Sequence, residues 1–243
     1  MLSIIIPAHN EESCIEETIT RIVKKLDEAG LEYEIVAVND NSTDKTEAKL
    51  KKISELSKNI KYANNTYQNG FGFAVRKGLE LYRGDAVALV MGDGSDLPED
   101  IVKYYKELEK GYDCVFGSRF IKGSNVQNYP FHKLILNRMA NYCIKLLFRT
   151  KHNDITNAFK CYRREVIDGI KPILSNHFNL TVELPLKAIV RGYNYTKVPI
   201  SWSGRTKGVS KLKIKEMGSR YLFIVLYVLL EKFFAKGDYK RMK

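Results

Sequence analysis

No two cysteines in this 243-residue chain lie close enough in sequence to suggest a zinc knuckle or a stapled loop. Cys14, Cys114, Cys143 and Cys161 are widely separated, which excludes a disulfide framework and fits reduced, packed thiols in a cytoplasmic protein. His9, His132, His152 and His177 show no metal-ligand spacing either. Long apolar runs are also missing. "YLFIVLYVLL", Tyr221 to Leu230, has ten residues, against the roughly 20 that a membrane-spanning helix requires. The opening "MLSIIIPAHNEE" carries no basic leader and reads as a strand rather than a signal peptide. There is no internal repeat, low-complexity tract or linker. "GFGFAV" imitates a dinucleotide fingerprint, but Val75 stands where the third glycine belongs.

Acidic residues are scarce in one place, the C-terminal segment. From Ser203 onward there are eleven Lys and Arg against three acids, so a surplus of eight positive charges out of a total of +12 lies there. A nucleic acid, an anionic membrane or a phosphate substrate would each suit such a segment. Nucleic-acid binding calls for basic residues interleaved with aromatics along one face. Here a basic stretch, "KLKIKEMGSR", is followed by a purely apolar one, which favours a membrane surface over nucleic acid. The expectation is a helix lying in the cytoplasmic leaflet with its cations on anionic headgroups, the alternatives being burial against the protein's own core or a homo-oligomer.

The rest of the chain is ordinary in composition, 44% hydrophobic and 28% charged, which excludes a disordered protein. Apolar runs alternate with helix-period segments: "LSIIIPA", "YEIVAVND", "IKYANN", "DAVALVMGD" and "DCVFGSRF" read as strands. Helices are expected over 12–29, from Ser42 with Ser42 or Thr43 as its cap, from Gly72, from Pro98, over 129–150 and over 178–191, with "YTKVPISW" as a late strand. Near-continuous apolar strands separated by helices predict an α/β fold with a mainly parallel sheet covered on both faces. Ligands in such sheets bind beyond the carboxyl ends of the strands. The polar clusters "PAHNEE", "NDNSTD", "GDGSD" and "GSRF" all fall there. In "GDGSD", Asp93 and Asp96 stand with Gly92 and Gly94, which admit close backbone approach, as a site for Mg²⁺ or Mn²⁺ carrying phosphate oxygens would need. A turn with solvated acids is the plain alternative.

Seven stretches, "SIIIPAHNEE", "VNDNSTDKT", "NGFGFAVRKGL", "MGDGSDLPED", "GSRFIKG", "DITNAFKCYRREV" and "RTKGVSKL", occur in the order seen in family-2 glycosyltransferases of the GT-A fold. The chain most resembles the polyprenyl-phosphate sugar synthases of the dolichyl-phosphate-mannose synthase type. The resemblance spans about residues 1–215 and implies one GT-A domain there, followed by a basic and apolar tail, 216–243. It implies a UDP- or GDP-sugar donor, Mg²⁺ or Mn²⁺, inversion at the anomeric carbon and a polyprenyl phosphate or other lipid-linked acceptor. The enzyme would then be peripheral at the inner face of the membrane. Pro7, Ala8, Asn10 and Glu12 match the first donor-binding loop, Asp40 an acid contacting the nucleoside, and Gly70 a further donor position. Asn39 replaces the first of two adjacent acids, a departure that leans towards uridine. Asp93 matches a metal ligand, with Asp96 as the second, while Met91 stands where the family's first acid would be. Ser118 and Arg119, with Arg205, Ser210 and Lys211, match positions that embrace phosphates, and Lys133 and Arg138 add cations for the acceptor. Asp154 and Thr156 are expected to shape the loop over the site and Glu183 to order a helix.

The chemistry of the residues agrees. Loss of a nucleoside diphosphate needs its growing charge neutralised, which assigns the catalytic work to Asp93 and Asp96 with a metal and to Arg119, Arg205 and Lys211. A lipid phosphate acceptor is already an anion and needs no general base. An alcohol acceptor on a growing glycan would need one, with Asp96 as the candidate.

Overall fold

The computed structural model describes residues 1–204 and 214–241, with side chains of the second stretch from 218 onward. Leu2–Ala8 forms β1, Ile15–Glu28 α1, Tyr33–Asn39 β2, Thr46–Leu56 α2, Ile60–Asn64 β3 and Phe71–Leu81 α3. Ala86–Leu89 follows as β4, Pro98–Glu109 as α4, Cys114–Ser118 as β5, Asn125–Gln127 as β6 and Phe131–Phe148 as α5. The chain continues through Lys160–Arg163 (β7), Arg164–Gly169 (α6), Leu180–Val190 (α7), Tyr195–Pro199 (β8), Ser201–Ser203 (β9) and Ile214–Phe234 (α8).

All seven residues of β1 and of β2 are buried, as strands covered on both faces must be. The main sheet runs β3-β2-β1-β4-β7-β5-β8. Its neighbours are parallel except β7, which lies antiparallel between β4 and β5. Helix α1 presents Ile15, Ile19, Ile22 and Leu26 to one face, where they join the sheet's core through Ile4 and Ile6. Helix α3 covers the other face, with Gly78 set so close to Ile5 that a Cβ there would overlap it. The order of winding reverses between β1 and β4, so the carboxyl ends of β1, β2 and β4 open onto one crevice.

Two details differ from the sequence reading. Helix α2 starts at Thr46 instead of Ser42; the Asn39 and Asn10 side chains accept the Ser42 and Thr43 amides and hold that stretch as a loop ahead of the helix. The Asp44 carboxylate accepts the Thr46 amide in their place. The stretch "YTKVPISW" is not one strand. Pro199 has no N–H for the ladder, and the chain leaves the main sheet after it, so that β9 pairs with β6 in a small second sheet.

Helix α8 divides the apolar run between two environments. Ile224, Val225 and Val228 pack with Val182 and Leu186 of α7 and Ile144 and Phe148 of α5. Each such aliphatic side chain contributes about 1.5–3 kcal/mol on full burial. Leu222, Phe223, Leu226, Leu230 and Phe233 on the remaining faces are exposed. The helix is also pinned by charge. Glu231 receives Nε and Nη2 of buried Arg191 at 2.8 Å each, and Lys232 donates to the last carbonyls of α5, Leu147 and Phe148.

One buried ionisable group has no charge of its own to pair. His152 is fully buried against the Phe116 ring, and neither ring nitrogen has a partner among the described residues. Burial first, then the nearby Lys160 ammonium, pushes its pKa down from 6.5 to about 3. The unfolded chain therefore takes up a proton below pH 6.5 that the folded protein refuses until about 3, and stability falls as pH drops through that window. His152→Leu should flatten the pH dependence there, removing a slope of up to about 1.4 kcal/mol per pH unit. Urea unfolding of both proteins across that range is the measurement; identical slopes would show that His152 does not carry it.

Candidate active site

The crevice is built from loops that brace one another. After β1, Asn10 takes a left-handed conformation (φ 51°) and turns its side-chain oxygen onto the Thr43 amide at 2.8 Å. Glu12 accepts the Lys45 amide at 2.9 Å, and the carbonyl of Ala8 accepts the Asp40 amide at 2.8 Å. Pro7 and Ala8 are buried at the end of β1, the Pro7 carbonyl lying beneath Gly92. Thus Pro7, Ala8, Asn10 and Glu12 do come together with the loop after β2, as a scaffold in which backbone amides and short polar side chains interlock.

Asp40 and Asn39 are buried, and both are bonded within the protein. Both oxygens of Asp40 accept the amide of Gly70, the residue that opens α3, and Oδ1 also accepts Asn65 Nδ2 at 2.7 Å. Asn39 donates to Asn64 and accepts the Ser42 amide. Asn65 was not singled out from sequence. Its signal was modest: an asparagine at the carboxyl end of a strand, the position where polar residues of this fold gather.

The acidic loop after β4 is held from beneath by α1. Thr18 donates to the Gly92 carbonyl at 3.4 Å, and Cys14 Sγ lies 3.6 Å from the same oxygen. Gly94 has φ 72°, a conformation that favours glycine, and it lets the chain turn between the two acids. Asp93 is half-buried and its Oδ1 accepts the Ser95 amide at 3.0 Å. Asp96 is buried and turned back onto the Met91 amide, also at 3.0 Å. Burial is the main cause that lifts Asp96 to a pKa of about 7; the Met91 bond opposes it and the like charge of Asp93 adds to it. Among the described residues no three acid, His or Cys side chains converge as a complete metal cage. One or two carboxylates completed by substrate phosphates is the arrangement Mg²⁺ commonly adopts, and Asp93 with Asp96 fits it.

Across the crevice, Arg119 is bound at Nε and Nη2 to the two oxygens of Asp154, at 2.9 and 2.8 Å, with its own amide on Asp154 as well. Both residues are buried, and the pairing outweighs their burial: Asp154 is held below the usual carboxylate range and Arg119 is held firmly protonated. The rings of Phe120, Tyr129 and Trp202 surround the guanidinium at 5.4, 5.4 and 5.6 Å. Ser118 faces inward and donates to Asn153 at 2.7 Å. Arg138 reaches the Asn153 carbonyl at 3.0 Å and lies 4.3 Å over Phe120. Ser118, Arg119 and Arg138 therefore converge on Asn153–Asp154, while Lys133 sits half-buried in the first turn of α5. Thr156 fastens the same segment to Asn137 and Asn141 of α5. Asn153 and the aromatic cage were missed in the sequence, where isolated asparagines and aromatics carry no spacing.

The cationic side and the acidic loop touch. Asp96 pairs with Trp202 in an antiparallel bridge, the Ser203 amide donates to the Ser95 carbonyl at 3.3 Å, and the Ser201 amide donates to Asp100 at 3.0 Å. Arg205, Ser210 and Lys211 lie outside the described residues.

The family description "Glycosyl transferase family 2" matches residues 3–170, more than half of the chain. The chain belongs to glycosyl transferase family 2. As a member of that family it is a glycosyltransferase. It is 31% identical over 215 residues to the polyprenol monophosphomannose synthase of Mycolicibacterium smegmatis, an alignment covering 86% of this chain and 80% of that protein. It is 32% identical to the dolichol-phosphate mannosyltransferase of Pyrococcus furiosus over 88% of this chain, which spans 60% of that longer relative. Among solved structures, glucosyl-3-phosphoglycerate synthase from Mycobacterium tuberculosis in complex with Mn²⁺, UDP and phosphoglyceric acid superposes with a TM-score of 0.69 at 19% identity, over 96% of this chain and 78% of that one. That likeness establishes the GT-A-like fold of this family 2 member.

If the Asp93 carboxylate is the one a cation meets first, Asp93→Asn should lower turnover by roughly 10²-fold or more. Asp96→Asn should act more mildly, since its carboxyl is already turned onto Met91. Sugar-transfer assays over a Mn²⁺ titration decide the order; full activity of the Asp93 variant at limiting metal would remove it from the site.

Proposed function

We propose that this glycosyltransferase moves a hexosyl group, with inversion, from a nucleoside diphosphate sugar to a polyprenyl phosphate at a membrane surface. The observation that carries this reading is the contact between the acidic loop at Asp96 and the caged Arg119 through Trp202, two acids beside a buried guanidinium, as a metal-and-diphosphate end next to a cationic one would need. The names of the two relatives support a lipid-phosphate acceptor and mannose as the sugar. Mn²⁺ or Mg²⁺, present with UDP in structural neighbours, would bind Asp93 and Asp96 here and offset the charge of the departing diphosphate. The residues of the chain do the rest. Interlocked loops at Asn10, Asp40 and Gly70 hold the nucleoside side, and the Arg119–Asp154 unit gives the acceptor phosphate a rigid cationic wall. Nη1 of Arg119 is the nitrogen outside the Asp154 pairing, with Lys133, Arg138, Arg205, Ser210 and Lys211 as further phosphate partners.

A second reading has one observation behind it. A buried carboxyl with a pKa of about 7, as at Asp96, suits a general base for a hydroxyl acceptor on a lipid-linked glycan. A panel of UDP- and GDP-sugars, each offered with a short polyprenyl phosphate, the matching alcohol and an oligosaccharide, separates the two. Transfer to the phosphate alone is expected; transfer to the alcohol or oligosaccharide alone would replace the first reading with the second. The panel also decides the base; Asn39 donates to Asn64 and accepts the Ser42 amide, and the lean towards uridine rests on its replacing an acid.

Docking on an anionic membrane, at the inner face as the acceptor would require, is part of the proposal. No helix among the described residues is long and apolar enough to cross a membrane. Support comes instead from two neighbouring helices. Phe131, Leu136, Met139 and Leu146 of α5 and Phe223, Leu226, Leu230 and Phe233 of α8 are exposed. Helix α5 contains Lys133, Arg138 and Lys145 and no acid, and of the two acids in the α8 sequence, Glu216 and Glu231, the second is bound by Arg191. Two copies of so cationic a face would repel, whereas anionic headgroups attract each cation by about 1 kcal/mol. Full-length protein should float with anionic liposomes at low salt, and Met139→Glu with Phe223→Glu should abolish flotation while leaving donor hydrolysis intact. Flotation unchanged by both substitutions, or a stable homo-oligomer in place of flotation, would overturn the docking.

A further inference from the structure

Glu183 and Lys187 form a fully buried ion pair one turn apart on α7, Oε1 to Nζ at 2.6 Å. Taking two charges out of water is costly, so what the pair holds matters. It does not cap its own helix. Glu183 accepts the amide of Leu174 at 2.8 Å and of Ser175 at 2.7 Å, and Lys187 donates to the carbonyl of Pro172. Both partners thus grip the segment preceding α7.

The same segment is gripped from its other side by α3. Arg76 donates to the Ile173 carbonyl at 3.1 Å and to the Asn176 side chain, and the Asn176 carbonyl accepts the Phe73 amide at 3.2 Å. The fit is close enough that a Cβ on Gly72 would overlap the Ser175 carbonyl, and one on Gly70 the Asn176 carbonyl. Gly70 opens α3 and donates its amide to both oxygens of Asp40. A continuous set of direct contacts therefore runs from the buried pair, through residues 172–176, to the first turn of α3 and the loop after β2.

We propose that Glu183 is a positioning residue for the nucleotide donor, acting through the 172–176 segment to seat the Gly70–Asp40 contact. The donor part rests on the reading of the crevice as a nucleoside diphosphate site; the seating of Gly70 does not. Glu183→Gln keeps the shape but offers one acceptor oxygen to two amides and leaves Lys187 buried without its partner. Glu183→Leu with Lys187→Leu removes both charges together, which commonly restores the stability lost when one partner alone is removed, yet it cannot hold the two amides.

The experiment compares the wild type, Glu183→Gln and the double leucine variant by thermal unfolding, by exchange of the Gly70 and Phe73 amides with deuterium, and by KM and kcat for the donor sugar. The expected result is that the double variant regains much of the melting temperature lost by Glu183→Gln. Both variants should nonetheless show faster exchange at Gly70 and Phe73 and a donor KM raised on the order of ten- to a hundredfold, with a smaller change in kcat. Recovery of stability, amide protection and KM together in the double variant would show a purely structural pair and overturn the proposal. Altered exchange in a protein that binds no nucleotide would uphold the seating of Gly70 and overturn the donor reading instead.

Discussion

The Arg119–Asp154 pair is the contact on which the site depends. It ties the end of β5 to the segment entering β7, strands adjacent in the sheet, through two residues 35 apart in the chain. Around it gather Ser118, Asn153, Arg138 and the three aromatic rings. Removing one member of such a buried pair leaves an uncompensated charge in a low-dielectric setting, a cost of about 3–5 kcal/mol. The site's cationic side is therefore made rigid by the same interaction that keeps its charge in place. Rigidity of this kind would suit the proposed transfer from a diphosphate donor to a phosphate acceptor, where little covalent work falls to the protein and geometry with charge placement does most of it.

The acidic side is arranged differently. Asp93 and Asp96 stand three residues apart at the end of a buried strand, and the fold separates their characters: one half-buried at the crevice, the other enclosed and turned onto the backbone. Two carboxylates with unlike surroundings can take unlike tasks. The glycine between them and the packing of α1 beneath Gly92 are what permit the split.

Much of this was legible from residues. Unbroken apolar runs such as "LSIIIPA" predict strands buried on both faces, and the polar clusters that follow them mark the open ends of a parallel sheet. Asp93, Asp96, Arg119 and the interlocked loops at Asn10 and Glu12 all lie at those ends. The antiparallel direction of β7 was not legible, because a strand of four residues pairs by tertiary context rather than by any pattern it carries. Nor could the sequence say where the bonds of a polar residue go. Asp40 and Asn39 read as donor-site positions, and only the fold shows that both are also bonded to Gly70, Asn65, Asn64 and Ser42. Glu183 shows the same limit. An acid in the first turn of a helix reads as favourable to that helix, yet its carboxylate reaches backwards to the segment before it. An apolar stretch such as 221–230 suits lipid, core or another subunit alike, and α8 divides it between a packed face and an exposed one.

The chain has a single tryptophan, and the fold puts it in the aromatic cage over Arg119, in a bridge with Asp96. Indole emission is sensitive to the charges and water around the ring. All tryptophan fluorescence of this protein thus originates from one spot between its acidic and cationic sides, so indole emission of the unmodified enzyme would report what the proposed site takes up.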